Sequence, residues 1–552
     1  MAGSPSLGAL RSPETVMRLA RMGSFHPTRL SFMRLMLRRA DAEGWRADRP
    51  QWAVDATGVG RAIYRIRTPA RTYCLIAFAH DLPDRLRSDR VIAEAWDATF
   101  ALFDGEPDAD DLARLEANVP LQEAGRMSGR ELTLSRANRS VRLFAHVVDR
   151  LAEGRQPDLD ALDDAGYLMR TTAVYGSAKF GLSDREAICD RPEFAEPFQA
   201  EMLTVWLIRA FTVDIAEHLA RARNLAAARL DPDLRRRLGV GNSTGLGMAP
   251  FLLTHPVLIH GWMCAREVAL ARVRATEPIA TTRAHFRRAL AHASENARLW
   301  RSDHPAQRAK LAELRGDLGR IAARVDEEAW TWDGLWRWGE AALTLEGQEA
   351  LLALMLEPHG ALVDELARHM SADEATAFAI DGRQTVETLR DAIARDYRWA
   401  LEIDWNAPEM QARLWYVSAE KLEPRLAERA EEPLTRWEQP LGPGRDVARL
   451  ADALGEWPAD TPVAALLADR PELRHVVRRV QIVAGHPYAE VRDNTLSADL
   501  LPIDLLRAKL SFFGATRFDP RSDRWVRISM FQGAPFPDEL GRASADAWMY
   551  GA

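Results

Sequence analysis

Apolar residues recur at steps of three and four through most of this chain, the period of helices buried along one face. "HPTRLSFMRLMLRRADAEG" opens the pattern and Gly44 closes it, so a helix is predicted there. The pattern changes in "GRAIYRIRTPARTYCLIAFAH", where two runs rich in Ile, Tyr and Phe flank "TPAR". That predicts a β-hairpin near 61–80. Residues 91–153 return to helical spacing, and nearly every segment from 160 to 435 reads as helix. A second hairpin is predicted near 516–532, in "TRFDPRSDRWVRISMFQGAPFPDEL", with "DPRSD" as its turn. Isolated hairpins are marginal in water, so the two should share one sheet. The expected fold is mainly α (α+β): a multi-helix bundle domain with a small antiparallel β-sheet built from strands near the N- and C-termini.

Three segments are expected. Residues 1–160 hold an N-terminal helix, a β-hairpin and helices. Residues 161–437 form a helical core domain with Gly-rich loops and an αα-hairpin arm. Residues 445–552 carry C-terminal helices and a hairpin, after the Pro- and Gly-rich linker "EQPLGPGRD". In the arm, Leu311, Leu314, Leu318, Ile321 and Val325 make a narrow apolar stripe. "TRAHFRRALAHASENARLW" is its expected antiparallel partner. Trp330, Trp332, Trp336 and Trp338 follow, as a core plug where helices meet or as an aromatic ligand shelf.

The chain has 552 residues, 47% hydrophobic and 28% charged, with a net charge of −7. A large core is expected, and nothing in the charge calls for a nucleic-acid surface. Cys74, Cys189 and Cys264 are far apart and odd in number, which fits a reducing compartment rather than a disulfide framework. "MLTVWLIRAFTVDIAEHLA" is strongly apolar, but Arg209, Asp214 and Glu217 interrupt it, so it reads as a buried helix and not a membrane span. No signal peptide is read at the N-terminus, and a cytoplasmic location is expected. Of the 73 basic residues only Lys179, Lys310, Lys421 and Lys509 are lysine, a bias expected of a GC-rich bacterial genome. It draws attention to each lysine, because Lys can lose its proton and Arg cannot.

"GVGNSTGLGMAP" places Gly239, Gly241, Gly245 and Gly247 around Asn242, Ser243 and Thr244, after a short helix. Neither a dinucleotide fingerprint nor a phosphate-binding P-loop fits that spacing. Inward-turned backbone N–H groups and short hydroxyls, ahead of a helix capped by Thr254, would still suit an anion. The competing reading is a helix–helix turn that needs close backbone approach.

A second such loop, "RTTAVYGSAKFGLSDR", combines Gly176, Ser177 and Gly181 with Arg170, Lys179 and Arg185. Tyr175 and Lys179 stand four apart. On a helical turn that puts an ammonium beside a phenol and lowers the phenol's pKa. "YGSAKFGL" resembles the catalytic helix of short-chain dehydrogenases, and "ATGVGRAI" at 56–63 resembles their cofactor loop. The likeness covers only about sixteen residues. Ala161, Leu162 and Asp163 stand where that family's serine belongs, and alternating βα units are absent, so the chain is not assigned to it.

Partial metal-ligand sets occur at His260, Cys264 and Glu267 and at His486, Glu490 and Asp493, and His80 with Asp81 reads either as an acid–base pair at a strand end or as an ordinary turn. None is complete, so no metal is expected, and the sequence names no cofactor. The leading expectation is a cytoplasmic bacterial enzyme that binds a carboxylated or phosphorylated small molecule between the two Gly-rich loops. Tyr175 and Lys179 would be catalytic. Arg170, Ser177, Gly241, Asn242, Ser243 and Thr244 would bind the anion. The chemistry would be elimination, proton abstraction or group transfer. Neither nucleic acid nor membrane is an expected partner, and the helical arm is a route to a homo-oligomer. The alternative is a non-enzymatic scaffold that docks through the Trp-rich and heptad-like helices.

Overall fold

A computed structural model describes residues 10–86, 95–121, 127–176, 179–180, 188–245, 255–302, 305–327, 329–370, 378–407, 443–492, 502–515, 517–520 and 525–541. Its centre is one ten-stranded sheet. The first strands are β1 (Arg46–Val54), β2 (Gly60–Arg67), β3 (Thr72–Ala79), β4 (Ala98–Asp104) and β5 (Glu131–Arg139). They are followed by β6 (Tyr167–Gly176), β7 (Lys179–Phe180), β8 (Gly239–Gly245), β9 (Arg517–Pro520) and β10 (Trp525–Met530). The spatial order is β1-β2-β3-β4-β5-β6-β8-β10-β9, and β7 folds back on β6. Every neighbouring pair is antiparallel except β6 and β8.

Alternation decides which side chains meet which layer. Ala62, Tyr64 and Ile66 of β2 join the main core, while Ile63 joins a smaller core on the opposite face. Helix α1 (Phe32–Ala42) precedes the sheet, and α2 (Ala109–Asn118) covers the smaller core with Leu115. After α3 (Phe144–Ala152), the long helix α4 (Gln199–Arg223) lies on the main face. There Phe211 meets Tyr64 and Phe100 edge-on at 6.5 and 5.3 Å. Thr204 hydrogen-bonds Thr133 of β5 at 2.7 Å, so a polar pair is buried without being left unsatisfied.

The fold expected from the sequence needs correcting. The protein is a mixed α/β structure, and its sheet is neither small nor made only from the ends of the chain. Strands β4 and β5 occupy part of 91–153, and β6 and β8 occupy the middle of the chain, where helix was expected. The cause is visible in β5, whose residues are buried on both faces. Its alternation of Leu132 and Leu134 with Glu131, Thr133 and Ser135 lasts only five residues, and the polar set is buried too, so the strand shows no solvent face and only a short period-two signal.

The short helix α5 (Pro232–Arg236) leads into β8, and α6 (Pro256–Arg274), α7 (Ala280–Leu299) and α8 (Pro305–Asp326) follow. Helices α7 and α8 run antiparallel: Arg287 donates to the Val325 carbonyl at 2.7 Å, and Arg315 donates to the Ala297 and Trp300 carbonyls at 2.8 and 2.6 Å. Leu311, Leu314, Leu318, Ile321 and Val325 are all buried. Helix α9 (Trp332–Ala342) and α10 (Leu345–Leu356) pack beside them. Trp330, Trp332 and Trp336 are buried, and Trp330 meets Trp332 edge-on at 4.9 Å. These three indoles fill the core, and Trp338 packs half-buried against it.

Candidate functional site

The two glycine-bearing segments do come together, but as strands. Tyr167 pairs with Gly239, Arg170 with Gly241 and Thr171 with Asn242 across the parallel β6–β8 step. Gly239–Gly245 is therefore a strand, not a loop ahead of a helix. Its glycines answer to packing: a Cβ on Gly241 would lie 2.7 Å from the Tyr167 ring, and one on Gly239 2.5 Å from the Met530 carbonyl. Tyr175 and Lys179 do not share a helical turn. The β6–β7 hairpin pairs Tyr175 with Phe180 and Gly176 with Lys179. Arg170 is buried, and Thr171 is buried within hydrogen-bonding reach of Ser135 at 3.1 Å. Asn242, Ser243 and Thr244 take their places along β8 opposite Ile528, Arg527 and Val526. Ser177, Gly181, Arg185, Gly247 and Thr254 lie outside the described residues.

The partial metal sets have other partners. Glu267 pairs with Arg11 at 2.8 Å, and Glu490 pairs with Arg479 and accepts from the Tyr397 hydroxyl at 2.8 Å. His260 stands edge-on to His486 with ring centres 5.1 Å apart, and its Nδ1 accepts the Tyr488 N–H at 3.1 Å. His80 Nε2 lies 2.9 Å from the Thr99 hydroxyl. Among the described residues no group of three potential ligands could hold a metal ion. Asp493 lies outside them.

A different constellation opens on the last two turns of α4. Asp214, Glu217, His218 and Arg221 stand at i, i+3, i+4 and i+7, so one helix face carries all four. With Arg49, Trp52 and Arg229 they line a cleft of about 320 Å³. Arg49 and Trp52 are three apart on β1, which in a regular strand would put them on opposite faces. The β1–β2 register shifts between Asp48 and Gln51, around Pro50, and both side chains reach the cleft. An edge strand tolerates a proline and a bulge, and bulges re-aim side chains in this way.

Hydrogen bonds fix the walls. The Trp52 indole N–H donates to His218 Nδ1 at 3.2 Å, which leaves the ring's proton on Nε2, donating to the Asp55 carbonyl at 2.6 Å. Asp55 opens the turn between β1 and β2, just before the "ATGVGRAI" stretch at 56–63. Its carboxylate accepts from the Thr57 and Val59 N–H groups at 2.8 and 3.1 Å. That stretch is thus a hairpin turn running into β2, not a cofactor loop. Arg49 lies over the Trp52 ring at 4.7 Å and donates to Asp214 Oδ2 at 2.7 Å. The same oxygen accepts the Tyr64 hydroxyl at 2.6 Å.

Burial pushes the Asp214 carboxyl above the usual carboxylate range, against the pull of Arg49 and Tyr64. Burial also raises Glu217, opposed by the Leu230 N–H that donates to it at 3.0 Å and reinforced by the nearby Asp214 charge. Burial raises the Tyr64 phenol as well, so it stays a donor. A half-enclosed cleft with two upshifted carboxyls and several guanidiniums can hold an anion and move a proton.

The sequence carried one signal for this site: acidic and basic groups at helical spacing inside an otherwise apolar helix. Those same charges served only to exclude a membrane span. Among the described residues no helix is long and apolar enough to cross one. No described protein family, curated protein or solved structure matches the chain.

Proposed function

We propose that the chain is a cytoplasmic bacterial enzyme that performs acid–base chemistry on a carboxylated or phosphorylated small molecule. The observation that carries this reading is the convergence of Asp214, Glu217, His218 and Arg221 with Arg49, Trp52 and Arg229 on one cleft. In this reading Arg49, Arg221 and Arg229 hold the anion, because guanidiniums match carboxylate and phosphate oxygens in pairs. Glu217 is the proton-transfer group, since its raised pKa brings it nearer the working pH. His218 is a positioning residue: both ring nitrogens are engaged, one by Trp52 and one by the hairpin turn. The anionic ligand is the class expected from the sequence, while the supporting geometry lies at α4 and β1 rather than between β6 and β8.

A panel of carboxylated and phosphorylated metabolites, screened by thermal shift, tests the reading. A ligand should raise the melting temperature of the wild type and of Glu217→Gln, and the rise should vanish in an Arg221→Ala/Arg229→Ala double variant. Turnover of that ligand should be lost in Glu217→Gln with binding kept. A rise that survives in the double variant, or full turnover in Glu217→Gln, overturns it.

A further inference from the structure

The cleft has a second chamber behind it. A cavity of about 220 Å³ is lined by Asp48, Tyr64, Leu207, Arg235 and Asp538, and it shares Arg49 and Asp214 with the cleft. The Arg49–Asp214 pair is thus a wall between two spaces. Its halves are held unequally. Arg49 comes from an exposed edge strand and its side chain is 41% exposed, against 23% for Asp214. Asp214 sits on α4 and also accepts the Tyr64 hydroxyl at 2.6 Å.

Resting on the proposed function, we infer that Asp214 stands in for the ligand's anionic group. An incoming carboxylate or phosphate takes Arg49 from Asp214, and Asp214 takes up a proton from solvent as the pair opens. The reasoning is electrostatic. The charged and titratable groups around Asp214 are Asp48 and Arg49 from β1, Tyr64 from β2, Arg235 from α5, Asp538, and Glu217, His218 and Arg221 along α4. Arg235 is already engaged by Asp538 at 3.0 and 3.1 Å. With Arg49 withdrawn to the ligand, a half-buried carboxylate faces Glu217, the ligand's negative charge and a phenol that only donates. Burial already lifts its pKa, and loss of its cation lifts it further. Ligand binding and proton uptake are then linked, each strengthening the other.

Calorimetric titration with sulfate tests this, because sulfate carries the oxyanion geometry of a phosphoryl group and does not itself titrate near neutrality. Repeating the titration in buffers of different ionisation enthalpy reads the protons taken up. The full-length wild type should take up a fraction of a proton per sulfate, rising as the pH is lowered from 8 toward 6. Asp214→Asn keeps an acceptor for Tyr64 and removes the competing charge. It should bind sulfate about two- to fivefold more tightly, with the uptake cut to what Glu217 supplies and abolished in Asp214→Asn/Glu217→Gln. Arg49→Met should lose binding while keeping the wild-type melting temperature to within a few degrees. Sulfate binding with no buffer dependence, or uptake that is undiminished in Asp214→Asn, overturns the inference and leaves the anion site standing. Sulfate that binds neither the wild type nor Asp214→Asn overturns the anion site itself.

Discussion

Arg34 and Glu357 form a two-pronged ion pair, at 2.7 and 2.8 Å, with both side chains wholly enclosed. Arg34 lies on α1 and Glu357 follows α10, so the pair ties the N-terminal helix to the helical layer. Neither charge can recover its hydration if the other is lost. Glu357→Gln should therefore destabilise by about 3–5 kcal/mol, while Arg34→Met with Glu357→Leu should cost less than either single change. Urea midpoints measure both, and a Glu357→Gln cost below about 1 kcal/mol would show that the pair does not anchor α1.

His26 adds a pH dependence at the same place. Its Nε2 lies 3.9 Å from Glu357, and burial lowers its pKa to about 4, with Glu357 opposing and His292 and Arg34 reinforcing the shift. The unfolded chain binds the proton near pH 6.5, so below that value unfolding takes up a proton. The stability tied to neutral His26 is full above pH 6.5 and lost as the pH falls through 4. His26 alone accounts for a loss of about 3 kcal/mol over that window. Burial also lowers His255 and His359 to about 4, so they act in the same direction. His26→Gln should flatten the acid limb of a stability–pH curve, and an unchanged slope between pH 7 and 4 would contradict the assignment.

The glycines of β8 separate packing from ligand binding. In Gly241→Ala the new methyl meets the Tyr167 ring, and in Gly239→Ala it meets the backbone of β10. Each should destabilise by about 1–3 kcal/mol. Tyr167→Leu should rescue Gly241→Ala, since a side chain can be trimmed, but not Gly239→Ala. If both alanine variants kept wild-type stability and lost only ligand binding, the strand's glycines would belong to a binding loop after all.

That contrast shows why the sequence was readable in some places and not in others. Leu311 to Val325 announced a helix pair because their period is carried by large apolar side chains with a single buried face. The β8 glycines have no side chain to carry a period, so a strand looked like a loop. Asp214 and Glu217 were visible as charges in an apolar helix. Their partners Arg49, Trp52 and Tyr64 come from strands about 150 residues earlier, and Arg49 and Trp52 share a face only because of the irregularity at Pro50. Nothing local in a sequence encodes that meeting.

Leu318 tests the helix pair directly. It is 3% exposed within the α7–α8 packing. Leu318→Ala should cost about 2–5 kcal/mol, the usual range for opening a cavity at a buried leucine. A cost near zero would mean that the pair adjusts freely and adds little to the core.

Arg209 offers the sharpest test of the sheet's C-terminal end. It is fully buried on α4 and donates to three carbonyls of two separate stretches: Arg236 at 3.0 Å and Leu238 at 2.6 Å where α5 ends, and Ala534 at 2.7 Å. Its guanidinium lies 3.9 Å from the Phe536 ring centre, and Arg235 lies over the same ring at 3.9 Å. Only a planar fork with several donors can satisfy carbonyls spread in this way. A lysine keeps the charge but concentrates its donors on one nitrogen. Arg209→Lys should therefore leave buried carbonyls unmet and cost roughly 2–4 kcal/mol. The loss should also be local, because Arg209 and the Trp206 indole, which donates to the Pro535 carbonyl at 2.8 Å, hold residues 534–536 against α4. Amide exchange across 534–539 should then speed up more in Arg209→Lys than across β2 and β3. Uniform exchange throughout, or a lysine variant as stable as the wild type, would show that the carbonyl fork is not what fixes this segment.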